Sequence, residues 1–197
     1  GNIIGVLGCY EDITERKRAQ EALFESEARL RTVLESASIG IGIDLLDGRT
    51  VQANPALQKL LGYSADELLQ MRFTEYTHPS HSKIDAALFE EMVDGKRNFY
   101  QLEKRYIRKD GEVVWGRVTR TLFFDMEGKA RYALGMLEDI TERKHAEESL
   151  RESEERYRNL IEGSLLGIVI DRDGIPIFAN QAFAEMFGYD DPAHIIS

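Results

Sequence analysis

Residues 138–144 read EDITERK, and residues 11–17 read the same seven letters 127 positions earlier. The likeness extends beyond both copies, since residues 40–44, GIGID, align with residues 167–171, GIVID, at the same offset. A repeat of this length is too long for a solenoid unit and corresponds to one whole domain. The sequence therefore indicates a tandem array of a single domain type.

The repeat predicts five consecutive segments. They are the C-terminal strand of a preceding domain copy at 1–12, a helical linker at 13–29, a complete domain at 30–138, a second helical linker at 139–162 and the N-terminal part of a following copy at 163–197. Each partial copy would leave a strand edge without its usual neighbour. Strand exchange between residues 3–11 of one molecule and residues 167–171 of another stays open.

Composition and charge narrow the function classes. The net charge of −10 and the lack of a long basic run argue against nucleic acid as a partner, because phosphate binding needs a positive patch. No apolar stretch approaches the ~18 residues of a membrane-spanning helix, so no direct membrane contact is expected. Cys9 is the single cysteine and cannot form an internal disulfide. We expect a cytoplasmic segment, whose parent protein is free to be membrane-anchored elsewhere.

Both predicted linkers combine helical charge pairing with a narrow apolar seam. In the second linker, residues 146, 150, 153, 157 and 160 are spaced four and three apart, which is typical of a two-stranded coiled coil. The large seam residues are Leu23, Leu30 and Val33 in the first linker and Leu150, Tyr157 and Leu160 in the second. The pattern predicts a parallel homodimer, with a single solvated helix as the alternative.

Between the linkers, the pattern of elements predicts an α+β fold. Strands are expected at 39–46, 50–53, 99–108, 113–124 and 130–138, separated in part by short glycine-containing turns. Asn54 has the position of a helix N-cap, and a longer helix is expected at 82–93 with Ile84, Leu88 and Met92 on one apolar stripe. Two early and three late strands suit one five-stranded antiparallel sheet with short helices on one face.

Six short motifs run along the predicted central domain. They are ANPA at 53–56, LGYS at 61–64, LEKRY at 102–106, RKDG at 108–111, Trp115, and EDITERK at 138–144. A unit with these motifs in this order resembles the PAS domain family, in its sensory-box form with a PAC segment. The resemblance implies the PAS fold, here flanked by long helical linkers.

The resemblance also implies a class of function. PAS domains of this kind occur in tandem arrays of bacterial signalling proteins such as sensor histidine kinases of two-component systems and diguanylate cyclases. The expected function is a non-catalytic sensory and relay module, which senses a small ligand or a partner and transmits its state through coiled-coil linkers to a downstream effector. A flavin- or haem-bearing redox or gas sensor and a purely dimerising structural spacer stay open as alternatives.

Catalytic and cofactor motifs are missing from the sequence. No nucleophile elbow, phosphate loop or paired metal motif is present, so catalysis is expected only in other domains of the parent protein. By the resemblance, a haem-binding PAS domain would carry a histidine within the stretch 84–88, and a light-sensing one a cysteine near 71–75. Neither residue is there, which argues against haem and covalently bound flavin. The cofactor is unknown, and no metal site is predicted.

The resemblance places a ligand pocket between the helices and the sheet. Its predicted lining residues are Leu57, Leu61, Phe73, Leu88, Met92, Leu102, Tyr106 and Val118. Alternation along the strand 113–124 also assigns Arg120 to the core face, where a charge is out of place. Asp139, Thr141 and Glu142 are predicted at the signal exit, where the last strand passes into the second linker. The signal, the effector and the direction of regulation are left open.

Overall fold

The computed structural model describes residues 14–196. The described residues do not include the strand predicted at 1–12, and so they do not include Cys9 or the residues 3–11 for which strand exchange was considered. The first residue of the first linker is outside them as well. The chain divides into two compact units between Ile140 and Thr141. None of the helices in the described part is both long enough and apolar enough to cross a membrane.

From residue 14 onwards, where the description begins, the first unit contains four helices and five strands. In chain order they are α1 Thr14–Ser36, β1 Gly40–Leu45, β2 Thr50–Ala53, α2 Pro55–Leu61, α3 Ala65–Leu68, α4 Pro79–Val93, β3 Phe99–Ile107, β4 Val113–Phe124 and β5 Ala130–Asp139. The strands form one antiparallel sheet in the order β2-β1-β5-β4-β3. The predicted fold class, a five-stranded antiparallel sheet with helices, is confirmed.

Local sequence signals account for the short helices. The Asn54 side chain accepts a hydrogen bond from the backbone N–H of Leu57 and so caps α2, which Gly62 ends with φ 76°. Ser64 and Glu67 form a capping box at α3, in which each side chain accepts from the other's backbone N–H. These contacts act over three or four residues, so they turn the chain without help from distant parts of the fold.

The core lies between the sheet and the helices. Every second residue of β4 from Val114 to Leu122 is buried, and the sheet contributes Tyr100 and Tyr106 from β3. The apolar stripe predicted on α4 is wrong at Ile84, which is 51% exposed. The buried residues of α4 are instead Asp85, Phe89 and Met92. Asp85 turns inward because charged and polar groups of β3 bind it there.

Two helices flank the sheet unit along the chain. Helix α1 continues to Ser36, past residue 29, where the first linker is predicted to end. Strand β5 runs through Asp139, and the next helix begins at Thr141. Ile140 is therefore the one residue between β5 and this helix. It occupies the N-cap position, and Asp139 lies one residue before it.

The second unit repeats the beginning of the first. It contains α5 Thr141–Glu162, β6 Val169–Arg172, β7 Ile175–Ala179, α6 Gln181–Met186 and a short 3-10 helix at Pro192–His194. Strands β6 and β7 form an antiparallel pair, as β1 and β2 do in the first unit. Asn180 caps α6 as Asn54 caps α2. The sequence repeat therefore corresponds to repeated local structure.

Candidate functional site

The residues predicted to line a pocket lie together in the core of the first unit. Six of the eight are buried members of one apolar cluster: Leu57, Leu61, Phe73, Met92, Tyr106 and Val118. Leu88 and Leu102 are partly buried and pack against this cluster. Most of these side chains therefore fill the space between helices and sheet by packing on one another.

A small cavity adjoins this packing. Its volume is about 20 Å³, and its walls are Gly42, Asp44, Leu57, Tyr76, Tyr106, Val118, Arg120, Gly135 and Leu137. Of the predicted lining residues, only Leu57, Tyr106 and Val118 belong to it. A space of about this volume accommodates one water molecule, since a buried water needs about 10–15 Å³ on the same kind of measure.

The cavity wall carries a buried ion pair. The Nη1 of Arg120 lies 2.5 Å from the Oδ2 of Asp44, and both side chains are almost fully enclosed. The hydroxyl of Thr50 donates a second hydrogen bond, of 2.9 Å, to the same carboxylate. The guanidinium carbon of Arg120 stands 3.9 Å from the centre of the Phe73 ring, a cation–π contact inside the core.

A second ion pair joins β3 to α4. The ammonium of Lys104 contacts the Oδ2 of Asp85, and neither side chain is exposed. Lys104 also donates a hydrogen bond of 2.8 Å to the hydroxyl of Thr77, and Tyr100 donates one of 2.8 Å to Asp85. We call Asp44, Asp85, Lys104 and Arg120 the buried charge cluster. Its formal charges sum to zero, which limits the cost of removing it from water.

Burial shifts the proton equilibria of this region. Desolvation lowers the pKa of the Lys104 ammonium to about 8, although the neighbouring carboxylate of Asp85 opposes the shift. Desolvation also raises the pKa of the phenols of Tyr76, Tyr100 and Tyr106 well above the usual value, so all three stay neutral. Around neutral pH the interior therefore contains neutral tyrosine hydroxyls and two pairs of opposite charges.

The sequence contained partial signals for the buried charge cluster. Strict alternation places Lys104 with Tyr100 and Tyr106 on the core face of β3, and Arg120 on the core face of β4. Asp85 lies four residues before Phe89, on the same side of α4. Of these residues, the sequence pattern singles out only Arg120 as a charge on a core face, and nothing in the local pattern assigns it a partner.

A second, open groove lies on the surface of the first unit. Its volume is about 310 Å³, and its walls are Leu46, Asp47, Gly48, Arg72, Phe73, Thr74, Ala86, Phe89 and Glu90. Phe73 is the one residue of the predicted pocket among them. Groove and buried charge cluster meet at Phe73 and Phe89, whose rings lie 3.9 and 5.4 Å from the Arg120 guanidinium.

The predicted signal-exit residues flank Ile140 along the chain, at the boundary between the two units. Asp139 is the last residue of β5, whereas Thr141 and Glu142 begin α5. Ile140 between them is buried, and its backbone N–H donates a hydrogen bond of 3.0 Å to the carbonyl of Trp115 on β4. The last residue of the first unit is thus held by both side-chain burial and a backbone bond.

The predicted seam residues are exposed on the helices of the single chain. Leu23, Leu30, Val33, Leu150, Tyr157 and Leu160 each expose between 60% and 65% of their surface. Ion pairs cover other faces of α5, among them Arg151 with Glu148 and Glu155 at 2.6 and 2.8 Å. Within residues 14–196, no three His, Cys, Asp or Glu side chains are grouped closely enough to hold a metal ion.

Comparison with protein families identifies the repeated unit. A family model described as PAS domain matches residues 38–142, which is more than half of the chain. A second model, also described as PAS domain, matches residues 155–197. The first match ends two residues past the boundary at Ile140, and the second lies within the second unit.

Curated relatives place similar segments in long signalling proteins. The chain is 33% identical over 165 residues to the probable diguanylate cyclase DgcE of Escherichia coli, covering 84% of this chain and 15% of that protein. It is 27% identical over 158 residues to the sensor histidine kinase TmoS of Ectopseudomonas mendocina, covering 79% of this chain and 16% of that protein. The chain therefore spans less than a fifth of either relative.

Solved structures show the same architecture. The PAS domain of an HTR-like protein from Haloarcula marismortui matches with a TM-score of 0.53 and 26% identity. The match covers 63% of this chain and 99% of that structure.

Proposed function

The chain belongs to the PAS domain family, and from this premise we propose that it is a sensory and relay module of a bacterial signal-transduction protein. PAS domains are non-catalytic sensory modules, and the relatives that are enzymes are much longer than this chain. The proposed output is therefore a histidine kinase or diguanylate cyclase domain elsewhere in the parent protein. The proposed location is the cytoplasm.

The proposal is carried by the junction at Ile140. β5 is the central strand of the sheet, and one residue separates it from the 22-residue helix α5. The side chain of Ile140 is buried, and its N–H is bonded to Trp115. We propose that a change in the sheet is passed to the first turn of α5, because one residue and no loop separates β5 from that helix. We assign Asp139, Thr141 and Glu142 to this exit.

The dense packing between sheet and helices supports a signal that is not a large bound molecule. Ligand pockets for drug-sized molecules or organic cofactors enclose about 300–1,000 Å³, whereas the small cavity beside the buried charge cluster has about 20 Å³. A cavity of this size suits a small polar molecule better than flavin or haem. A signal that arrives through a partner or through a displacement of α1 needs no larger cavity. An absorption spectrum of the purified chain tests this point, since a visible band would favour the cofactor-bearing alternative.

The domain layout and dimer extend the proposal. We assign residues 30–138 to a complete PAS domain, 139–162 to a linker and 163–197 to the start of another copy. We propose that Leu23, Leu30, Val33, Leu150, Tyr157 and Leu160 form a parallel coiled-coil seam between two chains. Their exposure supports this assignment, because apolar side chains in register along a charged helix gain stability when a partner helix covers them.

The relay is tested with the chain fused in register to a diguanylate cyclase or histidine kinase reporter domain. Insertions of increasing length are placed in α5 between Glu152 and Ser153, up to a full heptad. We expect output to change with shorter insertions and to recover at seven residues, because a heptad restores the facing of the helix. Matched insertions at the exposed Glu127-Gly128 turn should leave output unchanged. If the reporter's output did not depend on the length of the insertion in α5, the proposed relay would be contradicted.

A further inference from the structure

Asn54 joins three elements of the first unit through its side chain. Its Oδ1 accepts hydrogen bonds from the backbone N–H of Ile41 at 2.8 Å and of Leu57 at 2.9 Å. Its Nδ2 donates to the carbonyl of Leu34 at 3.0 Å and to that of Ile39 at 3.0 Å. The side chain thus binds the last turn of α1, the chain just before and within β1, and the first turn of α2.

Asn180 makes the same four bonds in the second unit. Its Oδ1 accepts from Ile168 at 2.7 Å and from Phe183 at 3.0 Å. Its Nδ2 donates to the carbonyls of Ile161 at 2.9 Å and Leu166 at 3.0 Å. Each partner is the repeat equivalent of the corresponding partner of Asn54, so the two residues hold equivalent positions relative to α1 and α5.

Helix capping alone does not require this arrangement. A cap needs only an oxygen that accepts from the first turn of the helix, and serine, threonine or aspartate supplies it as well. A carboxamide has two acceptor sites and two donor hydrogens, and all four are used here. One donated bond goes to a carbonyl in the last turn of the preceding helix, where the last four carbonyls lack intrahelical partners. The other goes to a carbonyl between that helix and the first strand. Both side chains are buried, Asn54 being 6% and Asn180 0% exposed.

We propose that Asn54 and Asn180 are the input joints of their domains, the points at which a displacement of the preceding helix is passed to the first strand and the first short helix. This inference rests on the proposed relay and names the residue that receives the signal. Because the joint is a set of bonds within one unit, it can be tested without any output domain.

The first test uses the unmodified chain. Nuclear magnetic resonance follows the side-chain NH2 groups of all asparagines, with Asn98 and Asn159 as exposed controls. We expect the NH2 hydrogens of Asn54 and Asn180 to exchange with solvent at least about tenfold more slowly than those of the controls, because both hydrogens are bonded and buried. Equal exchange at all four residues would overturn the proposal, whatever the behaviour of any variant.

The second test separates the joint from the cap. Asn54→Asp keeps the acceptor oxygen for Ile41 and Leu57 but loses both donors, whereas Asn54→Ala loses all four bonds. In Asn54→Asp we expect backbone amides of residues 33–36 to exchange on the order of tenfold faster, while α2 keeps its protection. In Asn54→Ala both regions should exchange faster. Protection within β4 serves as the check that the sheet is folded.

Asn180→Asp is the matched control in the other unit. It should speed exchange at the end of α5 and leave the end of α1 unchanged, and Asn54→Asp should do the reverse. Unchanged protection of the preceding helix in both variants would overturn the joint. These readouts contain no signalling output, so a failure of the relay in the fusion experiment and a failure of the joint are told apart.

Discussion

Lys104 and Asp85 form an ion pair from which solvent is fully excluded, both side chains being 0% exposed. The pair connects β3 to α4, and Thr77 and Tyr100 complete its hydrogen bonds. Taking two charges out of water costs free energy, and their attraction offsets that cost only when the other hydrogen-bonding positions are satisfied. The contact is therefore sensitive to the loss of either partner.

Removing one charge of this pair should destabilise the first unit strongly. We expect Lys104→Met to lower the free energy of unfolding by about 3–5 kcal/mol, because Asp85 is left as a buried carboxylate without its cation. Urea denaturation followed by circular dichroism measures the change. The double variant Lys104→Met/Asp85→Leu should recover most of the loss. Lys96→Met removes an exposed pair with Asp94 and is the control, with little change expected.

The stability of the first unit should depend on pH through Lys104. Its pKa falls from 10.5 to about 8 on folding, so folding releases a proton between those two pH values. The unfolded state binds more protons in this window, and stability contributed by this group therefore rises with pH there and is constant below it. The free energy of unfolding of the unmodified chain minus that of Lys104→Met should increase across the window. A decrease would contradict the assignment.

Gly116 should tolerate no side chain, in contrast to Gly135. A Cβ at Gly116 would stand 2.5 Å from the Cδ1 of Leu137 and 2.7 Å from the Cε2 of Tyr106, whereas one at Gly135 meets nothing closer than 3.8 Å. We expect Gly116→Ala to cost about 1–3 kcal/mol through overpacking. Gly135→Ala adds the same methyl group beside the small cavity and should cost less. Thermal unfolding of the two variants decides the order.

The coiled-coil seam predicts a dimer that one charge can break. Leu150→Lys places a cation in the seam, and we expect sedimentation velocity to show a shift from dimer to monomer. Glu155→Lys changes the charge by more but lies on the opposite side of the predicted heptad, so it should leave the dimer intact. Monomers of the unmodified chain at every concentration, or equal effects of both variants, would argue against the seam.

Patterns along the chain were sufficient to place the strands and the short helices. The two hairpin strands, the caps at Asn54 and Ser64, and the three late strands depend on contacts between residues close in sequence. Such contacts are set by backbone geometry and turn chemistry, which residue type reports directly. The predicted pocket residues also came together, because alternation and helical spacing identify which side of an element is buried.

The interior chemistry depended on contacts that no local pattern specifies. Arg120 meets Asp44 across 76 positions of sequence, and Lys104 meets Asp85 across 19. Alternation placed Arg120 on the core face, but it gave no information on which residue carries the opposite charge. The apolar stripe predicted on α4 included Ile84 and so left Asp85 outside the predicted buried face.

The sequence alone determined the repeat, the positions of the five strands along the chain and the helices that flank the sheet, since these follow from periodicity and short-range turns. Only the tertiary structure decided that the space between sheet and helices is occupied by a neutral set of four charges and by packed aromatic rings. The reason is that a buried charge is stable only beside a partner, and which residues become partners is settled when distant strands and helices pack.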